Sequence, residues 1–533
     1  GELIKAKIQF EGVLEIEPNK ESAEQQILKI NAELAKRQAL QIEKQETPQI
    51  NVNKQLIKFN SNRLITWIRK PAVLVTIAVL VGGSIGIPVY KSLPWCSEGQ
   101  KKVNGNCVSN SIPPKPNDNI ESNISSGDHT LFPGTNNIYR NRAIEAFKKG
   151  DYSQAVELFE KAVTDKRNDP EVRIYYNNAK ARDKAKLGAE DSPLTLAVVV
   201  PGNDQSKAQE ILRGVAQSQE QFNANGGQNS RLLEIIIAND NDNTDQAQKI
   251  AEKLVKKESL LAVIGHGSSN TTQAALNIYK QADIAIISPT STANNLQGKN
   301  FFRTTPSNGA FGEKLGKYAT NYPFKKVVIF YNPTSNYSNS MREEFQKNFE
   351  GQVFRLIDLT DPTLNIEKEL KESVSEQVQA IILFPDIKYT ATALDVATVN
   401  VNNNLRLKLL GSDSLYNNKT LDNAKSVEGL VLAVPWFREA PQAQDFSQAA
   451  KQQWEGDISW RTATSYDATQ AFIKSLSSRP SRAAILQGLQ KLNLSPKVTS
   501  GDDLKFKNGE RQSKAMLVTV EQGQFTCLQQ CSP

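Results

Sequence analysis

Residues 260–296 read LLAVIGHGSSNTTQAALNIYKQADIAIISPTSTANNL, and this stretch settles the fold class. LLAVIG (260–265) and IAIIS (284–288) are short apolar runs rich in β-branched residues, the mark of buried strands. The segment between them, 271–281, has the spacing of an amphipathic helix. Strand, helix, strand in that order is the unit of a parallel sheet covered on both faces. Working outward, LTLAVVV (194–200) leads into a helical stretch to Asn223. LLEIIIAN (232–239) then leads into a helix over 244–257. After Phe311–Tyr322 the alternation restarts with KVVIFY, QVFRLIDL, QAIILF and LKLLGSD, separated by helices. Two such series predict two α/β lobes with parallel sheets over residues 191–533, later segments crossing back between them.

Ligands of such sheets bind outside the carboxyl ends of the strands, so those loops are where chemistry is expected. After LLAVIG comes His266-Gly267-Ser268-Ser269-Asn270-Thr271-Thr272, running into a helix. After IAIIS comes Pro289-Thr290-Ser291-Thr292-Ala293. Hydroxyls beside the free N–H groups of a helix start hold a carboxylate without needing Lys or Arg. The same residues also suit a plain N-cap. His266 reads as a hydrogen-bonded turn residue. In the LLGSD loop, Asp413 supplies a carboxylate for a cation or caps a turn. An anion site and a cation site in one cleft describe an α-amino acid. The loop set holds no nucleophile–base pair, glycine-rich phosphate loop or zinc-binding helix, which points to a binder and not an enzyme. No cofactor and no metal is expected.

These loops, the strand order and the later LLGSD resemble the periplasmic leucine/isoleucine/valine-binding proteins, over roughly residues 193–525. The resemblance implies the two-lobed type I periplasmic binding fold. It implies that Ser269 and Thr292 bind a ligand α-carboxylate, that the Thr290 carbonyl receives the ammonium, and that Asp413 neutralises it. Tyr337, in YNPTSNYSN, falls where the family places a cleft tyrosine, although the family's D-x-x-x-Y-G here runs from Asn332 with one extra residue. Tyr389, after ILFPD, is the candidate from the other lobe. Ser268, Asn270, Ser291 and Trp436 form a second tier, Trp436 either lining the cleft or packing. Asp386 adds a carboxylate that would favour a more cationic ligand.

The rest of the chain adds an anchor. Pro71–Tyr90 (PAVLVTIAVLVGGSIGIPVY) carries no charge and is long enough, at about 1.5 Å per residue, to cross a membrane as a helix. Residues 1–70 read as a partly helical cytoplasmic stub and 91–136 as a flexible extracytoplasmic linker. All four cysteines follow the span. Cys96 with Cys107, and Cys527 with Cys531, are disulfide candidates, which places the C-terminal bulk in an oxidising compartment outside a single-pass inner membrane. Residues 137–190 space Ala143, Phe147, Tyr152, Ala155, Phe159 and Ala162 like the helical hairpin of a tetratricopeptide repeat, read as a spacer.

The 533 residues are 39% hydrophobic and 23% charged, which excludes a wholly disordered chain. The formal charge of +7 lies mostly outside 193–533, so it gives no reason to expect nucleic acid. The sequence therefore predicts a membrane-anchored extracytoplasmic binder of an amino acid or small amide. It would serve an ABC-type permease or a signalling partner across the membrane. The rival reading is an interaction protein in which the helical repeat recruits a partner and the binding domain is degenerate.

Overall fold

A computed structural model describes residues 100–103, 106–109, 120–134, 137–188, 192–322 and 324–528. The chain divides into two units, 1–111 and 112–533. In the first, β1 (Gln100–Val103) pairs antiparallel with β2 (Asn106–Ser109), Val103 opposite Asn106. The stub 1–70, the span 71–90, Cys96 and Cys531 lie outside the described residues, and Cys107 falls on β2. Among the described residues no helix is long and apolar enough to cross a membrane.

The second unit opens with β3 (Ile124–Ser125) and three helices, α1 (Ile138–Lys148), α2 (Tyr152–Asp165) and α3 (Pro170–Gly188). The first lobe follows: β4 (Leu194–Val200), α4 (Gln205–Ala224), β5 (Leu233–Asn239), α5 (Thr244–Val255), β6 (Leu260–Ile264), α6 (Ser269–Gln281), β7 (Ala285–Ser288) and β8 (Phe301–Arg303). The second lobe runs α7 (Asn308–Asn321), β9 (Lys326–Tyr331), α8 (Asn336–Asn348), β10 (Gln352–Asp358), α9 (Ile366–Ser375), β11 (Ala380–Phe384), α10 (Thr390–Asn402), β12 (Lys408–Gly411) and β13 (Val431–Val434). The chain then returns with α11 (Gln444–Trp454), α12 (Trp460–Lys474), α13 (Arg482–Gln490), β14 (Asn493–Leu494), β15 (Leu504–Lys507) and β16 (Glu510–Arg511). It ends in β17 (Met516–Glu521) and β18 (Gln524–Cys527).

One sheet has the order β14-β15-β16-β8-β7-β6-β4-β5-β3 and the other β10-β9-β11-β12-β13-β17-β18. Their centres are parallel, as the apolar runs predict. Their edges are not: β3 lies antiparallel on β5, and β17 lies antiparallel on β13. The expectation of parallel sheets throughout is corrected at these places, where segments from outside the repeating series cap the sheet. Strand β4 shows why its run lacks alternation. Leu194, Leu196, Val198 and Val200 enter one core, while Ala197 and Val199 enter the core on the opposite face.

One expectation about the approach to the lobes changes. Residues 120–134 are not a solvated linker. Ser125 donates through Oγ to the His129 carbonyl at 2.6 Å, and the Leu131 amide and the Thr130 hydroxyl donate to Glu171 at 2.6 and 2.7 Å. The small polar residues that suggest flexibility build a tight packed turn instead. Residues 137–188, expected as a helical spacer propping the next domain, pack directly on it. Ala143, Phe147, Ala155, Phe159 and Ala162 are buried between α1 and α2, but α3 packs on β5 and α4. Asn178 on α3 is fully buried; its Nδ2 donates to the carbonyls of Ser126 and Ile235, and its Oδ1 accepts from Ile235 N and Gln219 Nε2, all at 2.8 Å.

That amide predicts its own test. Asn178→Ala strands buried backbone groups of β5 and is expected to cost about 2–4 kcal/mol in urea denaturation. A free spacer would make the substitution neutral.

Candidate functional site

The lobes are joined by three passages, at 304–307, 435–443 and 512–515. Buried arginines brace this region. Arg511 donates to the Thr304 carbonyl at 2.8 Å and pairs with Asp467 at 2.6 Å, and Arg303 donates to the Ala293 carbonyl at 3.0 Å. Between the lobes lies a cavity of about 220 Å³. Every strand-end loop that lines it follows the carboxyl end of its strand, as expected for this architecture.

From the first lobe come Asp242–Thr244 after β5, Gly267–Asn270 after β6 and Thr290 after β7. The β6 loop is held in place from below. His266 is fully buried, its Nδ1 against Asp240 Oδ2 at 2.7 Å and its Nε2 against the Tyr279 hydroxyl at 3.1 Å. Gly265 has φ +130°, and a Cβ there would sit 2.7 Å from the Val199 carbonyl, so only glycine fits. The hydroxyls then divide by task. Ser288 and Ser291 donate to the His266 carbonyl, and Thr272 bonds Ser291 at 2.8 Å, tying the two loops together. Ser268 caps α6 through the Thr271 amide. Ser269 Oγ accepts from the Ala293 amide at 3.2 Å, leaving its own hydroxyl proton for the cavity. The amides of Ser269 and Asn270 have no partner among the described residues.

From the second lobe come Ser335 and Tyr337 after β9, Asp386–Lys388 after β11, and Asp413 with Ser414 after β12. Tyr337 donates its hydroxyl to Asp413 Oδ1 at 2.7 Å. Asp413 is 3% exposed, and burial raises its carboxyl to about 6, against the opposing pull of Tyr337 and of the Arg461 charge. Burial and the neighbouring Asp413 push the Tyr337 phenol well above its ordinary range. Asp386 accepts from Asn332 Nδ2 at 2.8 Å. The lobes meet where the Asn336 amide donates to Asn270 Oδ1 at 3.0 Å.

The structure thus gathers Ser268, Ser269, Asn270, Thr290, Tyr337 and Asp413 around one cavity. It does not bring Thr292, Ser291, Tyr389 or Trp436 to the lining. Thr292 Oγ1 is buried without a partner, and Ser291 is spent on the loop tie. Asp386 caps a short turn by accepting from Lys388 N and Tyr389 N, so Ile387 and Lys388 face the cavity and Tyr389 packs against the core. Trp436 is buried, its Nε1 donating to the Ser500 carbonyl at 3.0 Å. Cys527 is disulfide-bonded.

Beyond residues beside the named candidates (Asp242–Thr244, Ser335, Ile387, Lys388 and Ser414), the lining holds two from outside the strand-end loops, Trp460 and Arg461, the first two residues of α12. Helix α12 returns to the first lobe and presses on α4 so closely that a Cβ on Gly214 would lie 2.2 Å from the Thr462 carbonyl. Glu210 of α4 accepts from Ser459 N at 3.0 Å and from Thr462 Oγ1 at 2.6 Å, anchoring the helix start with a negative charge. A buried helix with an Arg at its first turn was the available signal.

A family model described as periplasmic binding protein matches residues 196–524. An amino acid binding protein of Pseudomonas aeruginosa is 31% identical over 134 residues, which is 24% of this chain and 36% of that protein. The chain thus spans little more than a third of that relative's length. The Leu/Ile/Val-binding protein of Escherichia coli K12 is 23% identical over 299 residues, 53% of this chain and 79% of that protein. An ABC transporter substrate-binding protein from Desulfitobacterium hafniense, solved in complex with Leu, shares the fold. Its TM-score is 0.56 at 20% identity, covering 63% of this chain and all of that one.

The raised Asp413 carboxyl makes a prediction with a definite sign. Between pH about 4 and about 6 the folded protein keeps a proton that the unfolded chain, titrating near 3.8, has released. Stability from this group is therefore lost as pH rises through that window, by about 3 kcal/mol. The wild-type minus Asp413→Asn difference in denaturation free energy, measured from pH 4 to 7, should show that fall and level off above about pH 6.5.

Proposed function

Because the chain belongs to the periplasmic binding protein family, we propose that it is an extracytoplasmic solute-binding protein whose ligand is an α-amino acid. The observation that carries this reading is the facing of unlike groups across the cavity. The free amides of Ser269 and Asn270 lie on one lobe, and the buried Asp413 carboxylate lies on the other. The α-carboxylate rests on the start of α6, where the amides and the Ser269 hydroxyl supply donors and the helix supplies a positive field. The ammonium rests on Asp413, which Tyr337 holds in place, and on the Thr290 carbonyl. A cavity of about 220 Å³ is below the roughly 300–1,000 Å³ of drug-sized sites, which suits a single amino acid.

A ligand gripping both lobes binds the closed arrangement better than the open one and shifts the population toward it. The Asn270–Asn336 bond is one of the direct lobe-to-lobe contacts, beside those of Asn294 with Ser340 and Glu344. The closed form then engages an ABC-type amino-acid permease or a signalling partner. The uncharged run 71–90 anchors the chain in the plasma membrane as a single span, with the lobes outside, and the disulfide at Cys527 supports an oxidising compartment. The tetratricopeptide-like helices α1 and α2, fixed through α3, give the binding domain a rigid flank.

Calorimetric titration of the detergent-solubilised chain with the common L-amino acids is expected to find one saturable site. Asp413→Asn should weaken it at least about 30-fold. Binding should also weaken as pH falls below about 6, where Asp413 takes up its proton. If no amino acid binds a folded sample, the reading is wrong. Separately, the chain should stay with membranes through an alkaline carbonate wash and be released when 71–90 is deleted.

A further inference from the structure

Arg461 is 6% exposed, lines the cavity, and has no hydrogen-bond or ion-pair partner for its guanidinium among the described residues. The acids that face it are engaged elsewhere. Glu210 pairs with Arg213 and caps α12, Asp204 pairs with Lys207 at 2.8 Å, and Asp413 accepts from Tyr337. Beside it Trp460 is 1% exposed, and its indole Nε1–H is buried without an acceptor. The guanidinium lies over that indole ring, 4.4 Å from its centre. A second cavity of about 180 Å³ shares Arg461 and Ile387 with the first and is lined by Lys207, Lys419 and Arg438 together with Asp204, Glu210 and Asp457. Burial, with the Arg461 charge beside it, lowers the Lys207 ammonium to about 8.

A buried guanidinium that lines the cavity and lacks an acceptor marks the place of a missing acceptor. The fields of Asp413, Glu210 and Asp204 reach Arg461, but each of these carboxylates has its own hydrogen-bond partner, so an anionic acceptor suits the unfilled guanidinium donors better than a neutral amide. A carboxylate, with two oxygens, accepts the guanidinium fork in bidentate fashion. The α-carboxylate already has its place at α6.

We propose that the ligand is an acidic α-amino acid of the aspartate or glutamate type, its side-chain carboxylate seated on the Arg461 guanidinium. This assignment rests on the amino-acid reading and narrows it. The carboxylate of Asp386, which from sequence favours a cationic ligand, is turned to Asn332 and to the turn it caps, and the Lys388 cation lines the cavity beside it.

The experiment is calorimetric titration of the full chain at pH 7.5 with L-aspartate, L-glutamate, L-glutamine and L-leucine, repeated on Arg461→Met and with folding checked by melting temperature. L-aspartate or L-glutamate is expected to bind at least tenfold more tightly than L-glutamine and L-leucine. Arg461→Met should then abolish that acidic-over-amide preference, a loss of at least about tenfold. Tighter binding of L-leucine or L-glutamine overturns the acidic assignment and leaves the amino-acid reading standing, as does a preference that survives Arg461→Met. Failure of all four ligands on folded protein overturns the acidic assignment, and failure of every common L-amino acid overturns both.

Discussion

Two opposite charges, Asp413 on one lobe and Arg461 on the other, are held almost wholly out of water and do not pair with each other. Burying a charge without a partner is costly, and a protein keeps such a group only where something completes it. In the proposed reading the completion is a zwitterion between the lobes. Tyr337 takes one oxygen of Asp413, and the Trp460 ring covers one face of Arg461, so each charge is oriented but not neutralised. The gap between them is the specificity of the site.

The fold exists to set that gap. Parallel strands deliver three loops from each lobe to the cavity because their carboxyl ends point the same way. The lower tier of each loop is spent on rigidity, as with the His266–Asp240 pair and the Ser288, Ser291 and Thr272 hydroxyls. Only the upper tier faces the cavity. Helix α12 supplies what the loops cannot, because it crosses back from the second lobe and is locked to α4 through Gly214 and Glu210. The buried Asp467–Arg511 pair ties that same helix to the returning strand and, through Thr304, to the first passage between lobes. The site and the hinge therefore share one helix.

The sequence reveals the strands of both lobes because a strand buried on both faces must be a β-rich apolar run, and few other structures need one. It reveals Ser269, Thr290, Tyr337 and Asp413 because they follow those runs directly. The failures have physical causes. Ser291 and Thr292 are chemically the same as Thr290, and only the path of the loop decides which hydroxyl meets the cavity. Tyr389 loses its place to Lys388 because Asp386 caps a tight turn that shifts the register. Trp436 follows an apolar run like the others, but the chain there leaves the sheet for the first lobe and buries the indole. Arg461 and Trp460 were invisible for the converse reason. They stand far from any strand end in sequence, and tertiary packing alone carries them to the cleft.

The most direct measurement is a crystal structure of the protein grown with L-glutamate. The account predicts density in the cavity between the lobes, with the ammonium on Asp413, the α-carboxylate on the Ser269 and Asn270 amides, and the side-chain carboxylate on Arg461. A ligand bound outside this cavity, or inside it with Asp413 and Arg461 both untouched, would contradict the account.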